Sequence, residues 1–190
     1  LQLPGVLVGV PGLMHLPLAA LTLLLAYRSL RITAGSSVAS WTVLLLAASP
    51  MFLFTSATGQ SLASSLFCEA LAGYGYVQAV YRRPWLGALI LGAAVGLGMM
   101  VRPQAMAPVG AVLAAAALLN LLGRRRLAAA ALLVCTLAAG AALVLPYNKA
   151  LSGSYLTLPW FLYEPVERYG FGQVWDFSNY RHTPWTALQN

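Results

Sequence analysis

The sequence predicts an all-α protein: a polytopic transmembrane helix bundle of about six spans, with an irregular outer-face loop at its C-terminal end. Three observations predict this class. Apolar residues make up 60% of the 190 residues and charged residues only 8%, against about 45–50% and about 25% in soluble domains. The apolar runs approach about 20 residues, the length that crosses about 30 Å of hydrocarbon. Most basic residues fall between the runs rather than within them. Helices follow rather than a barrel, because lipid-facing backbone must satisfy its own hydrogen bonds and the runs lack the alternation of barrel strands. This composition excludes a soluble enzyme, a disordered tail and a nucleic-acid-binding domain. The net charge of +7 punctuates apolar runs, so membrane lipids are expected as partners and nucleic acid is not.

The first span is expected from Val6 to Tyr27 and the second from Val38 to Phe54. The third runs from Ser61 to Tyr81, the fourth from Trp85 to Val101, the fifth from Gln104 to Leu122 and the sixth from Leu127 to Tyr147. Charge sets the orientation. Arg28 and Arg31, Arg82 and Arg83, and Arg124 to Arg126 account for seven of the eleven basic residues. Placing these three short loops in the cytoplasm gives one alternating path, in which the turns Thr55–Gln60 and Arg102-Pro103 lie outside. Residues 1–147 then form the membrane region, part of a larger domain, and 148–190 an extracytoplasmic loop. That loop carries three of the four acids, Glu164, Glu167 and Asp176. Its tryptophans, Trp160, Trp175 and Trp185, suit the headgroup zone, and its prolines and glycines oppose one long helix. The chain opens on Leu1 and reads as an internal fragment of a longer protein.

Few residues carry chemistry. Glu69 is the sole acid inside a span, where an ionised carboxylate is expensive unless paired or wet. Ser65 and Gly73 share its helical face. It either lines a polar cavity and holds a hydroxyl or proton, or is protonated and bonded to a neighbouring helix. Arg102, in Val-Arg-Pro-Gln at the outer junction of spans four and five, offers a fork for phosphate, or snorkels to ordinary headgroups. His15 stands between Pro11 and Pro17 in the first span, as a proton relay or a hydrogen-bond partner in a kinked helix. Lys149, Glu164, Arg168 and His182 are the further cavity or substrate-binding candidates on the outer side. Cys68 and Cys135 lie in apolar runs and read as buried small hydrophobes. No spacing suits a metal, no nucleotide loop is present and no cofactor is expected. Gly92-Ala-Ala-Val-Gly96 permits close helix packing, read as contact within the chain rather than dimerisation.

Three segments carry a resemblance. They are Ser49-Pro-Met-Phe-Leu-Phe-Thr-Ser56, Gly96-Leu-Gly-Met-Met-Val-Arg-Pro103, and Tyr147 to Pro159 leading to Tyr163-Glu-Pro-Val-Glu-Arg-Tyr-Gly-Phe-Gly172 and His182-Thr-Pro184. In this order they resemble the bacterial GT-C type membrane glycosyltransferases, which include relatives of the protein O-mannosyltransferases and the aminoarabinose transferase of lipid A. The resemblance implies transfer of a sugar from a polyprenyl-phosphate carrier to an extracytoplasmic acceptor, in the bacterial cytoplasmic (inner) membrane. It implies a lipid-phosphate-binding role for Arg102. It also implies a catalytic acid in a first outer loop that would precede residue 1, so the fragment alone is expected to be inactive. Relatives often carry a His in the turn before span three, where this chain reads Gly59-Gln-Ser-Leu-Ala63. The competing reading is a secondary transporter or flippase using Glu69 and His15, or a non-catalytic assembly subunit.

Overall fold

The computed structural model describes residues 14–57, 62–155, 157, 174–175 and 180–181. Among the described residues seven α-helices follow one another: α1 (His15–Thr33), α2 (Ser36–Ala48), α3 (Pro50–Ala57), α4 (Leu62–Val77), α5 (Pro84–Val101), α6 (Pro103–Gly123) and α7 (Leu127–Ser152). A π turn, Gln78–Arg82, extends α4. Four of them, α1, α5, α6 and α7, are long and apolar enough to cross a membrane. The α2–α3 pair makes a fifth if its bend is taken as a break within one span.

Burial is arranged the opposite way from a water-soluble domain. The core cluster is built largely from alanines, Ala72, Ala88, Ala94, Ala117, Ala129 and Ala130, filled in by Leu91, Met106, Leu121 and Leu133. Large side chains stand outside: Leu16, Leu45, Val112 and Leu119 are each about 70% exposed. Lipid is as apolar as leucine, so helices associate by close packing of small residues while the bulky ones face the tails. The intramembrane hydroxyls close on their own helices. Thr22 Oγ1 donates to the Leu18 carbonyl at 2.8 Å and Ser29 Oγ to that of Leu25 at 2.8 Å, which removes a donor that lipid cannot satisfy.

Glycines set the closest approaches. A Cβ on Gly75 would lie 2.6 Å from the Leu91 backbone nitrogen, and one on Gly87 would overlap the backbone of Ala79. Both contacts belong to the antiparallel α4–α5 pair. Gly92 faces Thr136 and Gly96 faces Gly140, where a Cβ would meet the partner Cα at 2.8 Å. The Gly92–Gly96 motif therefore seats α7 against α5 within one chain, as its sequence reading has it. Thr136 Oγ1 stays bonded to its own helix, 2.9 Å from the Leu132 carbonyl.

The ends of several elements differ from the sequence expectation. The first helix continues past Tyr27 through Arg28 and Arg31 to Thr33, because arginines mark the membrane border and do not stop a helix. The segment expected as one span from Val38 to Phe54 is bent by 65° between α2 and α3. Ser49 precedes Pro50 and takes an extended conformation, φ −65° and ψ 126°, as a residue before proline is driven to do. The last helix passes Tyr147 and Pro146 to end at Ser152, where Gly153 supplies the left-handed residue (φ +75°) that closes it. Cys68 is buried, but Cys135 is exposed, because it sits on a face of α7 turned away from the core.

The chain divides into two compact units, Leu1–Ala142 and Leu143–Asn190. In the second, the described residues include the end of α7 and a two-residue antiparallel ladder, β1 (Val174–Trp175) with β2 (Tyr180–Arg181).

Candidate functional site

Arg102 is the single residue between α5 and α6. Pro103 opens α6 at its first position, where a missing N–H is harmless. It also keeps Arg102 out of the helical region, at φ −148° and ψ 85°. The backbone of Arg102 is pinned on both sides. Its N–H donates to the Gly98 carbonyl at 2.8 Å, and its carbonyl accepts from Ala105 and Met106 at 3.2 and 3.0 Å. Gly98 lets Met106 lie flat against α5, and Gly110 does the same for Val95. The result is a tight helical hairpin with a guanidinium at its tip. The side chain is half-buried, and it has no hydrogen bond or ion pair to any described residue.

Glu69 lies toward the same end of the α4–α5 pair as this tip. The contacts Gly75–Leu91 and Gly87–Ala79 step together along α4 and α5. Continued at the same register, they place Glu69 level with about Leu97, roughly 8 Å below Arg102 along the helix axis. Ser64 falls level with Arg102 itself and is buried. Glu69 is half-buried and its Oε1 accepts from Ser65 Oγ at 2.9 Å. The partner is thus its own helix, one turn earlier. Ser65 shares the face of Glu69, as its i−4 spacing predicts, and supplies this bond. The polar residues of α4's first half and Arg102 occupy one end of the α4–α5–α6 group, and the arginines Arg82 to Arg83 and Arg124 to Arg126 occupy the other. Arg124 Nη1 donates to the Val80 carbonyl at 3.1 Å, which ties those two basic loops together.

The remaining expected site residues fall in different parts of the chain. Lys149, in the second unit, closes the end of α7. Its Nζ donates to the Gly153 carbonyl at 2.8 Å and lies 5.3 Å from the centre of the Tyr155 ring, a cation at the negative end of a helix. Glu164, Arg168 and His182 lie outside the described residues, as do Gly59, Gln60 and Ser61. His15 is buried near the start of α1. Among the described residues no three His, Cys, Asp or Glu side chains come together to hold a metal ion.

The described geometry is an apolar helical hairpin with a backbone-pinned arginine at its tip. The model of the dolichyl-phosphate-mannose-protein mannosyltransferase family matches residues 13–148, from the residues before α1 to well into α7. The chain belongs to that family. Its members are GT-C type membrane glycosyltransferases, so the multi-pass helices and the transferase assignment agree. No curated protein and no solved structure matches the chain.

Proposed function

We propose that this chain is the lipid-phosphate-binding part of a glycosyltransferase that moves a sugar from a polyprenyl-phosphate carrier to an extracytoplasmic acceptor, in the bacterial inner membrane. The observation that carries the reading is Arg102: a half-buried guanidinium at the tip of a membrane hairpin, fixed through its backbone and unpartnered among the described residues. A phosphate at that depth loses water, and a planar fork compensates by two parallel charged hydrogen bonds. As the sugar leaves, negative charge grows on the lipid phosphate. A preplaced cation stabilises that charge without reorganising.

The membrane path we propose has six spans: α1, the bent α2–α3 pair, α4 with its π turn, α5, α6 and α7. The three arginine loops face the cytoplasm, and the Arg102 tip and 148–190 face outside. Glu69, bonded to Ser65, then borders the cavity below the tip and holds a sugar hydroxyl. Lys149, Glu164, Arg168 and His182 shape the sugar or acceptor side. The carrier's chain needs a groove between helices, and the exposed leucines supply such surfaces.

Changing Arg102 to Ala in the complete protein tests the reading. Loss of one preplaced charge donor lowers turnover by about 10²–10³, with the thermal transition unchanged. Arg102→Lys keeps the charge but not the fork and should recover part of the rate. Unchanged transfer by a folded Arg102→Ala protein would remove the role.

A further inference from the structure

The opposite end of the first unit holds a second basic feature, remote from Arg102 along the helices. Pro84, Trp85, Arg125, Arg126 and the first turn of α7 line an open pocket of about 360 Å³. This lies within the range of small-ligand sites. Its lining combines two unlike chemistries: the guanidinium-bearing Arg125 and Arg126, and the exposed apolar Trp85, 56% exposed, and Leu127, 64% exposed.

The arginines have no carboxylate to satisfy them among the described residues. Glu69 is the only acid there, and it lies on α4 roughly 20 Å from Arg82 along the helix. Arg124 is occupied by the Val80 carbonyl, which leaves Arg125 and Arg126 for the pocket. The turn that presents them is a paired-bond helix stop. Arg126 N–H donates to the Leu121 carbonyl and Arg125 N–H to that of Leu122, both at 2.9 Å. The residue in the left-handed position of this stop is Arg125, φ +54°, where glycine is the least costly choice. A charged residue held in a strained position beside a basic pocket points to a use for its side chain. The first-turn N–H groups of α5 and α7 add positive potential from the backbone.

We propose that this pocket binds the phosphate headgroup of an anionic phospholipid from the leaflet on the arginine side, with Arg125 and Arg126 on the phosphate and Trp85 and Leu127 along the start of the acyl chains. A free phosphate offers nothing to the apolar lining. A lipid matches both the basic and the apolar lining residues, and the pocket sits at the ends of helices long enough to cross a bilayer.

The test titrates the purified full chain in neutral detergent with phosphatidylglycerol, phosphatidylcholine or inorganic phosphate, reading bound lipid by native mass spectrometry and the thermal transition in parallel. Phosphatidylglycerol is expected to bind at least tenfold more tightly than phosphatidylcholine. Arg125→Ala with Arg126→Ala should weaken it about thirtyfold, from two arginines near a charged surface. The charge-matched pair Arg28→Ala with Arg31→Ala, at the end of α1, should weaken it no more than about fivefold. Equal losses from both pairs would reduce the site to general surface charge and overturn the proposal. So would equal binding of both lipids, or inorganic phosphate reproducing the full stabilisation. A headgroup-photoreactive phosphatidylglycerol tests the unaltered chain without any variant. Crosslinks should map to the peptides holding 84–85 and 125–129, and crosslinks confined elsewhere would refute the site. None of these readouts involves Arg102 or sugar transfer.

Discussion

Replacing Gly96 by alanine tests the α5–α7 contact directly. The new Cβ would lie 2.8 Å from the Gly140 Cα. Ordinary van der Waals contact begins near 3.4 Å, so the two helices must part by about 0.6 Å at their crossing. The obstructing atom is backbone and no side chain can swing aside. A gap of about 0.5–1 Å forfeits a quarter to a half of each neighbouring dispersion contact, and overpacking of this kind costs about 1–3 kcal/mol. Alanine returns up to about 1 kcal/mol through its better helix propensity. The net expectation is a loss of about 1–2 kcal/mol. Gly73 is the internal reference, because a Cβ there meets nothing within 4 Å. Gly73→Ala should therefore gain by propensity alone, about 0.5–1 kcal/mol. Reversible unfolding of each variant in mixed micelles gives the comparison. In the double variant Gly96→Ala with Gly140→Ala, the second substitution should cost less than it does alone, since the helices are already apart. If Gly96→Ala unfolded no earlier than wild type and matched Gly73→Ala, the proposed backbone contact would be wrong.

Three further outcomes follow from local geometry. Arg125→Gly should raise stability by about 1 kcal/mol by relieving a left-handed residue that carries a Cβ, while lowering anionic-lipid binding; thermal unfolding and lipid titration of the same protein check both. Asn120 Oδ1 is buried without a hydrogen-bond partner among the described residues, so Asn120→Leu should stabilise α6 by about 1–2 kcal/mol, and a drop in the thermal transition would contradict it. Lys149→Met removes the Gly153 and Tyr155 contacts, so amide exchange over 148–153 should quicken with little change in the global transition.

The sequence shows its helix limits best where proline and arginine adjoin. Arg83-Pro84 and Arg102-Pro103 place the starts of α5 and α6 within a residue of expectation, because proline both ends the preceding helix and suits the next one's first turn. The same rule applied to Ser49-Pro50 would have revealed the bend between α2 and α3, but continuous hydrophobicity hid it. Hydropathy sees which residues enter lipid and is blind to backbone direction. Arg28 and Arg31 misplaced the end of α1 for a related reason: charge locates the membrane border, and the helix runs on into water. The Arg102 tip was legible as an arginine before proline in an apolar chain. Its lack of partners among the described residues was not, because that depends on what α4 and α6 bring near it. The arginine-side pocket escaped altogether. Read in sequence, Arg124 to Arg126 are topology markers; only the left-handed Arg125 and the approach of Trp85 give them a shared concavity. Thr136 and Gly140, the counterpart to Gly92 and Gly96, form a second small-xxx-small pair legible in the sequence.

The π turn at Gln78–Arg82 makes chain length itself a determinant of charge placement. A π turn is an α-helix holding one surplus residue. Here the Arg83 N–H reaches back to the Gln78 carbonyl, and the Val80 carbonyl is taken by Arg124. Deleting any one residue between 78 and 82 would let the segment relax to ordinary helix. Arg82 and Arg83 would then swing by about 100° around the axis and retreat by about 1.5 Å. The α4–α5 contact at Gly87 and Ala79 would lose its register in the same move. A substitution in this turn changes one side chain, whereas a one-residue deletion would redirect a whole basic loop. Tolerance to insertion and deletion should accordingly be low at this turn, even at Tyr81 and Arg82, whose exposed side chains leave room for substitution.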